Sequence, residues 1–200
     1  MTDPRITGPH MTDPLTSGFA DPVAGSQACF RAVLAAMSRP GSVHTLDAVT
    51  PPPQLCVAAA AVVLTLVDHE TPVWIDPAAA AAQPWIAFHT GAASVSPGAA
   101  GFALALSLPP LDALNNGADE TPEASATIIL QVASVTSGTR FSLEGPGLPT
   151  PAMLAVTGLP ADFATLWQRN HARFPCGVDL ILCAGNQVAA LPRTTTVREV

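Results

Sequence analysis

The stretch FADPVAGSQACFRAVLAAMSRPG, beginning at Phe19, sets Phe30, Val33, Leu34 and Met37 at i, i+3, i+4 and i+7. That spacing lines one face of an α-helix, and the RPG at positions 39–41 supplies the stop. Gln27, Arg31 and Ser38 fall off this apolar stripe and are left to solvent, a ligand or a partner. After the triple proline at 51–53, the alanine- and valine-rich run 55–67 is apolar nearly all round and predicts a helix buried between other elements. DHETPVWI then turns at Thr71 and Pro72 into a short strand over 73–75, and a second short helix over 78–82 leads to an expected strand WIAF and a loop HTG.

Further along, GFALAL, ATIILQV and RFSLEG read as strands, with VTSGTR between the last two supplying turn residues for a hairpin. The unbroken apolar run 128–132 predicts a central strand covered on both faces. Pro160 opens a helix whose apolar face is Phe163, Leu166 and Trp167, with Asn170 continuing the stripe, and VDLILC and QVAAL form a hairpin around AGN. Helices interleaved with single strands and hairpins argue an α/β domain with a mixed sheet over residues 19–200. The leading segment 1–18, rich in Pro, Gly and Thr and repeating MTDP, has no apolar period and reads as a disordered tail.

Composition narrows the function classes. Two hundred residues that are 48% hydrophobic suit one core. With 8 basic against 15 acidic residues and a net charge of −7, a general grip on nucleic acid is not expected, because such binding is dominated by cationic contacts to phosphate. Every basic residue is an arginine, and the missing lysine removes Schiff-base chemistry, covalent pyridoxal phosphate and the P-loop. The chain also lacks tyrosine. Cys29, Cys56, Cys176 and Cys183 form no CxxC pair, so no zinc site or redox motif is spelled out, and they read as reduced cytoplasmic thiols. The run 55–67 is too short for a membrane span of roughly 20 residues.

The densest collection of reactive groups is RNHARFPCGVDLILC, beginning at Arg169. Most of it is accounted for as a helix ending, with Arg169 and Arg173 near the negative end of the dipole, followed by a buried strand. Asp179 is the exception: a carboxylate within that strand needs a partner, an arginine or backbone amides. Asp68, His69 and Glu70 are contiguous and point in different directions, so they suit a solvated loop better than a metal triad. His89 stands where a ligand group could project, though a structural hydrogen bond suits a lone histidine better. EGPGLP lacks the spacing of a phosphate-binding loop and suits a turn. Arg193, Thr194 and Arg198 near the chain's end could bind an anion, or belong to a tail docked on a neighbour. Residue chemistry alone therefore stops at an α/β domain without an assignable active site.

Taken in order from Phe19 to Thr195, the segments FADPVAGSQACFRAVLAAMSRPG, DHETPVW, AFHTG, TPEASATIILQV, EGPG, FPCGVDLIL and ALPRTT resemble the PhnH family of phosphonate-metabolism proteins, the H subunit of the bacterial carbon–phosphorus lyase system. The resemblance implies a three-layer α/β/α fold similar to pyridoxal-phosphate-dependent transferases but without the cofactor. It implies work with the G, I and L subunits in transferring ribose triphosphate from ATP to an alkylphosphonate, and association with the I and J subunits in a core complex. A homodimer is implied for the isolated chain. Two roles follow: a non-catalytic subunit docking on partners, or a nucleotide- or phosphonate-binding module. The candidate contact residues for either are Arg31, His89, Arg193 and Thr194.

Overall fold

The computed structural model describes residues 18–46 and 49–200. The expected tail thus lies outside the described residues, apart from Gly18. Four helices and nine strands follow in the order α1 (Pro22–Ser38), β1 (His44–Thr45), α2 (Val57–Leu66), β2 (Val73–Ile75), α3 (Gln83–Thr90), β3 (Phe102–Ala105), β4 (Thr127–Gln131), β5 (Ser134–Glu144), β6 (Ala152–Thr157), α4 (Phe163–His171), β7 (Asp179–Ala184), β8 (Gln187–Leu191) and β9 (Thr196–Glu199).

Six strands make a mixed sheet in the order β1-β8-β7-β4-β3-β2. Within it β2, β3, β4 and β7 are parallel, while β8 runs antiparallel to β7 and β1 antiparallel to β8. The period of two along β4 and β7 divides their side chains between two cores. Ile129 and Ile181 join the core formed with α1, α2 and α3, whereas Ile128, Leu130, Leu180 and Leu182 join the other. The continuous apolar run at 128–132 reflects burial on both faces, as expected of a central parallel strand.

The second core is closed by α4 together with a three-stranded sheet in the order β6-β5-β9. Phe163 and Trp167 of α4 are fully buried there and stack on each other, with Phe141 of β5 edge-on to Phe163. This face therefore carries strands as well as a helix.

The first core rests on α2, whose Ala58, Ala59, Ala60, Ala61, Val62 and Val63 are all inaccessible, as its uniform apolarity requires. Small alanines let the helix approach the sheet closely. Helix α1 begins at Pro22, which has no N–H to leave unsatisfied, and the Asp21 carboxylate accepts from the N–H groups of Val23 and Ala24. Its buried face is Cys29, Val33 and Ala36. The stripe expected from the sequence is thus corrected: Val33 faces inward, but Phe30 and Leu34 are 50% and 56% exposed.

Two other expectations are overturned. WIAF is part of α3 and not a strand. Pro84 opens that helix, Gly91 at φ 68° closes it in the left-handed region, and Trp85 and Ile86 are buried while Ala87 and Phe88 point outward. VTSGTR does not reverse the chain; it runs within β5, interrupted by a register shift between Thr136 and Thr139. The Ser134 hydroxyl accepts from the N–H groups of Thr136 and Ser137, and Gly138 at φ 110° crosses so close to β6 that a Cβ would stand 2.3 Å from Thr157 Oγ1. The turn residues make a bulge here. Strand β6, which pairs with β5, was not foreseen, and the terminal residues dock on their own chain as β9 against β5.

Candidate functional site

The cluster at 169–183 divides: Arg169 and residues 172–175 are exposed, whereas Asn170, Gly177, Val178 and residues 180–183 are buried. Asn170, 2% exposed, accepts from Val178 N–H at 2.8 Å and donates to Val178 C=O at 2.9 Å. Its side chain also leaves no room for a Cβ on Gly177, whose φ of 102° favours glycine in any case. Arg173 is paired with Asp112. These contacts fix the passage from α4 into β7.

Asp179 has both kinds of partner that its place in a strand demanded. Its Oδ1 accepts from the Arg193 backbone N–H at 2.7 Å, and its Oδ2 accepts from Arg193 Nη2 at 2.6 Å. Nη1 of the same guanidinium donates to the carbonyls of Pro122 and Pro175, and the Arg193 carbonyl lies 2.9 Å from His171 Nδ1. Arg193 thereby joins the ends of β7 and β8 to the loop before β4 and to the end of α4. Arg193 and Asp179 are largely buried, at 14% and 16% side-chain exposure. Thr194 follows, half-buried, with its carbonyl against Gly145, and Arg198 pairs with Glu144 at 3.5 Å. This end of the molecule uses its cations to hold itself together.

Two further candidates resolve as structural. Asp68 accepts from the N–H groups of Glu70 and Thr71, and these bonds hold its carboxyl below the usual carboxylate range, while His69 and Glu70 form a loose, exposed pair. The loop is solvated, and no cluster of three metal-ligating side chains occurs among the described residues. EGPGLP is a turn packed on the end of α1, where a Cβ on Gly147 would stand 2.1 Å from the Ser38 carbonyl oxygen. Burial pushes the Cys183 thiol well up, and the nearby Cys56 and Cys29 act in the same direction, which suits inert core thiols.

Arg31 and His89 are placed differently, and on the same side of the molecule. His89 is in the last turn of α3, where its ring lies against Gly18, tilted on Trp85 at a centroid distance of 4.7 Å. It therefore does not follow a strand, as first expected. Its Nε2 is buried without a hydrogen-bond partner among the described residues. Beside it opens a cavity of about 470 Å³ bounded by Phe19, Pro22, Ser26 and Leu64. A second hollow of about 340 Å³ shares Ser26 and continues along α1 past Gln27, Phe30 and Arg31 to Thr65. Arg31 is exposed and forms no ion pair or hydrogen bond with another described residue.

A polar latch went unread in the sequence. The Gln131 side chain, leaving the carboxyl end of β4, accepts from Cys56 N–H at 2.6 Å and donates to the Gln54 carbonyl at 3.1 Å. It pins the entry to α2, where Gln54 takes φ 77°. Only the glutamine closing an otherwise apolar strand hinted at it.

Fold and site together define an α/β protein with a mixed sheet, with Arg193 in an internal clasp and Arg31 beside an open hollow on α1. Residues 17–198 match the model of the bacterial phosphonate metabolism protein (PhnH) family, and the chain belongs to that family. It is 41% identical over 187 residues to a protein of Rhizobium meliloti (strain 1021) named alpha-D-ribose 1-methylphosphonate 5-triphosphate synthase subunit PhnH, covering 90% of this chain and 94% of that one. It is also 34% identical over 178 residues to the putative C-P lyase subunit protein HtxG of Stutzerimonas stutzeri, covering 86% and 85%.

Proposed function

We propose that the chain is a non-catalytic subunit of a carbon–phosphorus lyase system, needed with the G, I and L subunits when ribose triphosphate passes from ATP to an alkylphosphonate. Association with the I and J subunits in a core complex, a homodimer of the isolated chain and a cytoplasmic location belong to the same reading. So do a single domain over 19–200 and a three-layer arrangement akin to pyridoxal-phosphate-dependent transferases. The names of the two relatives, both subunits, support the role.

The observation that carries the non-catalytic part is the disposition of positive charge. Moving a triphosphate demands several cationic or metal groups converging on one place. Here Arg173, Arg193 and Arg198 are each paired with a carboxylate of their own chain, and Arg31 stands apart from them on α1. Lysine is absent, and the other arginines among the described residues, Arg39 after α1, Arg140 on β5 and Arg169 on α4, lie on three different elements. The purified chain, supplied with ATP, methylphosphonate and magnesium, is expected to release no adenine above background by chromatography; turnover by the chain alone would end this reading.

The second reading, a nucleotide- or phosphonate-binding module, draws support from the unpartnered His89 Nε2 beside a cavity. It rests on Arg31 and His89, because Arg193 is already bonded to its own chain. Calorimetric titration with ATP and with methylphosphonate separates the two: micromolar binding that His89→Phe abolishes favours the module.

A further inference from the structure

We propose that the outward ridge of α1 and the groove beside it form the surface on which a partner protein docks, and that this partner presents an apolar side chain flanked by a carboxylate. The inference rests on the subunit reading above and specifies a face for it.

Val23, Phe30 and Leu34 recur at i, i+7 and i+11 on α1 and are 68%, 50% and 56% exposed. They lie on one side of the helix over about 16 Å at 1.5 Å per residue, with Phe30 and Leu34 one turn apart and Ser26 and Gln27 between Val23 and Phe30. Isolated exposed apolar residues are ordinary, whereas neighbouring ones on a helix face, as Phe30 and Leu34 are, favour an interaction surface. The opposite face of α1, through Cys29, Val33 and Ala36, already supplies the core, so the ridge is not needed to hold the helix down.

Charge selects the partner. Helix α1 contains no acidic residue in a chain of net charge −7, and Arg31 projects from it beside Phe30 with no ion-pair partner among the described residues. An arginine next to an aromatic side chain at the centre of an apolar patch is the arrangement that dominates protein interfaces energetically. A carboxylate seated on Arg31 would meet its guanidinium through two parallel hydrogen bonds. The adjoining hollow is large enough for a bulky apolar side chain, and the unpartnered His89 Nε2 at its far end offers a polar contact that the fold leaves unused. A small ligand would use the hollow and leave the ridge bare; a protein covers both.

The test co-expresses the full chain with the G, I, J and L subunits of the same organism. It measures recovery of the assembly and its dissociation constant for wild type, Arg31→Glu, Phe30→Ser and Arg140→Glu. The last makes the same charge change on β5, away from the ridge. Arg31→Glu and Phe30→Ser are expected to weaken assembly tenfold or more while circular dichroism and the melting temperature stay at wild-type values, and Arg140→Glu to stay within twofold. Retention of wild-type affinity by both ridge variants overturns the surface and leaves the subunit reading standing. If the wild-type chain joins none of the four subunits, the subunit reading falls and the surface with it. A wild-type self-association dispersed by the ridge substitutions, with the larger assembly unaffected, would assign the face to a second copy and overturn the partner proposal.

Discussion

Arg193 and Arg31 are chemically identical side chains in opposite circumstances. Arg193 is fitted between Asp179 and the carbonyls of Pro122 and Pro175, so that removing it strands a carboxylate in a poorly hydrated place. Arg31 forms no hydrogen bond or ion pair with another described residue and stands beside the exposed Phe30. An arginine bonded throughout to its own chain explains stability; one left free on an apolar surface needs an outside explanation. The comparison moves the search for function from the terminal residues, where the sequence looked most reactive, to the helical side.

The comparison can be broken or sharpened by substitution in the isolated chain. Arg193→Ala should cost about 3 kcal/mol of unfolding free energy, because one member of a largely buried ion pair is left alone, and urea denaturation would read it. A loss below about 1 kcal/mol would mean that the clasp is not structural. Asn170→Ala should cost about 2 kcal/mol, since the N–H and C=O of Val178 both lose their partner in a buried place. Gln131→Ala should cost about 1 kcal/mol, with faster amide hydrogen exchange at the start of α2 as the specific sign that the latch on Cys56 has opened. Arg31→Ala should change stability by no more than about 0.5 kcal/mol. A larger effect would show that Arg31 supports the fold after all, and the contrast with Arg193 would fail.

The α/β class, the covered central strand, the hairpin of β7 and β8, and the need of Asp179 for an arginine or amides were all legible in the sequence. Each depends on a local signal: an apolar run, a two-sided alternation, or a charge that could not stay bare. What was not legible depended on distant partners. WIAF has the composition of a strand, and Pro84 with Gly91 made it a helix because their backbone preferences act at its two ends. VTSGTR has turn residues, yet hydrogen bonds from the Thr136 and Ser137 N–H groups to the Ser134 hydroxyl absorb them as a bulge once β6 arrives to pair. The stripe of α1 misled for a related reason. Two overlapping apolar faces can be drawn on that helix, and alanine and cysteine, small enough to meet α2, took the inner one. Of the four candidate contacts, His89 and Arg31 line adjoining hollows that share Ser26, while Arg193 is bonded to Asp179 at the start of β7 and Thr194 follows it.

Strands β4 and β7 lie edge to edge at the centre of the sheet, with Thr127 opposite Asp179, yet β5, β6 and α4 all come between them along the chain. The backbone must therefore complete a long excursion before its middle can zip, and closing so wide a loop is entropically uphill until the last contacts form. Refolding is accordingly expected to be slow, on a timescale of milliseconds to seconds, and half-made molecules would offer an unpaired edge of β4 to their neighbours. Heterologous production at lower temperature and dilution should favour the correctly closed sheet.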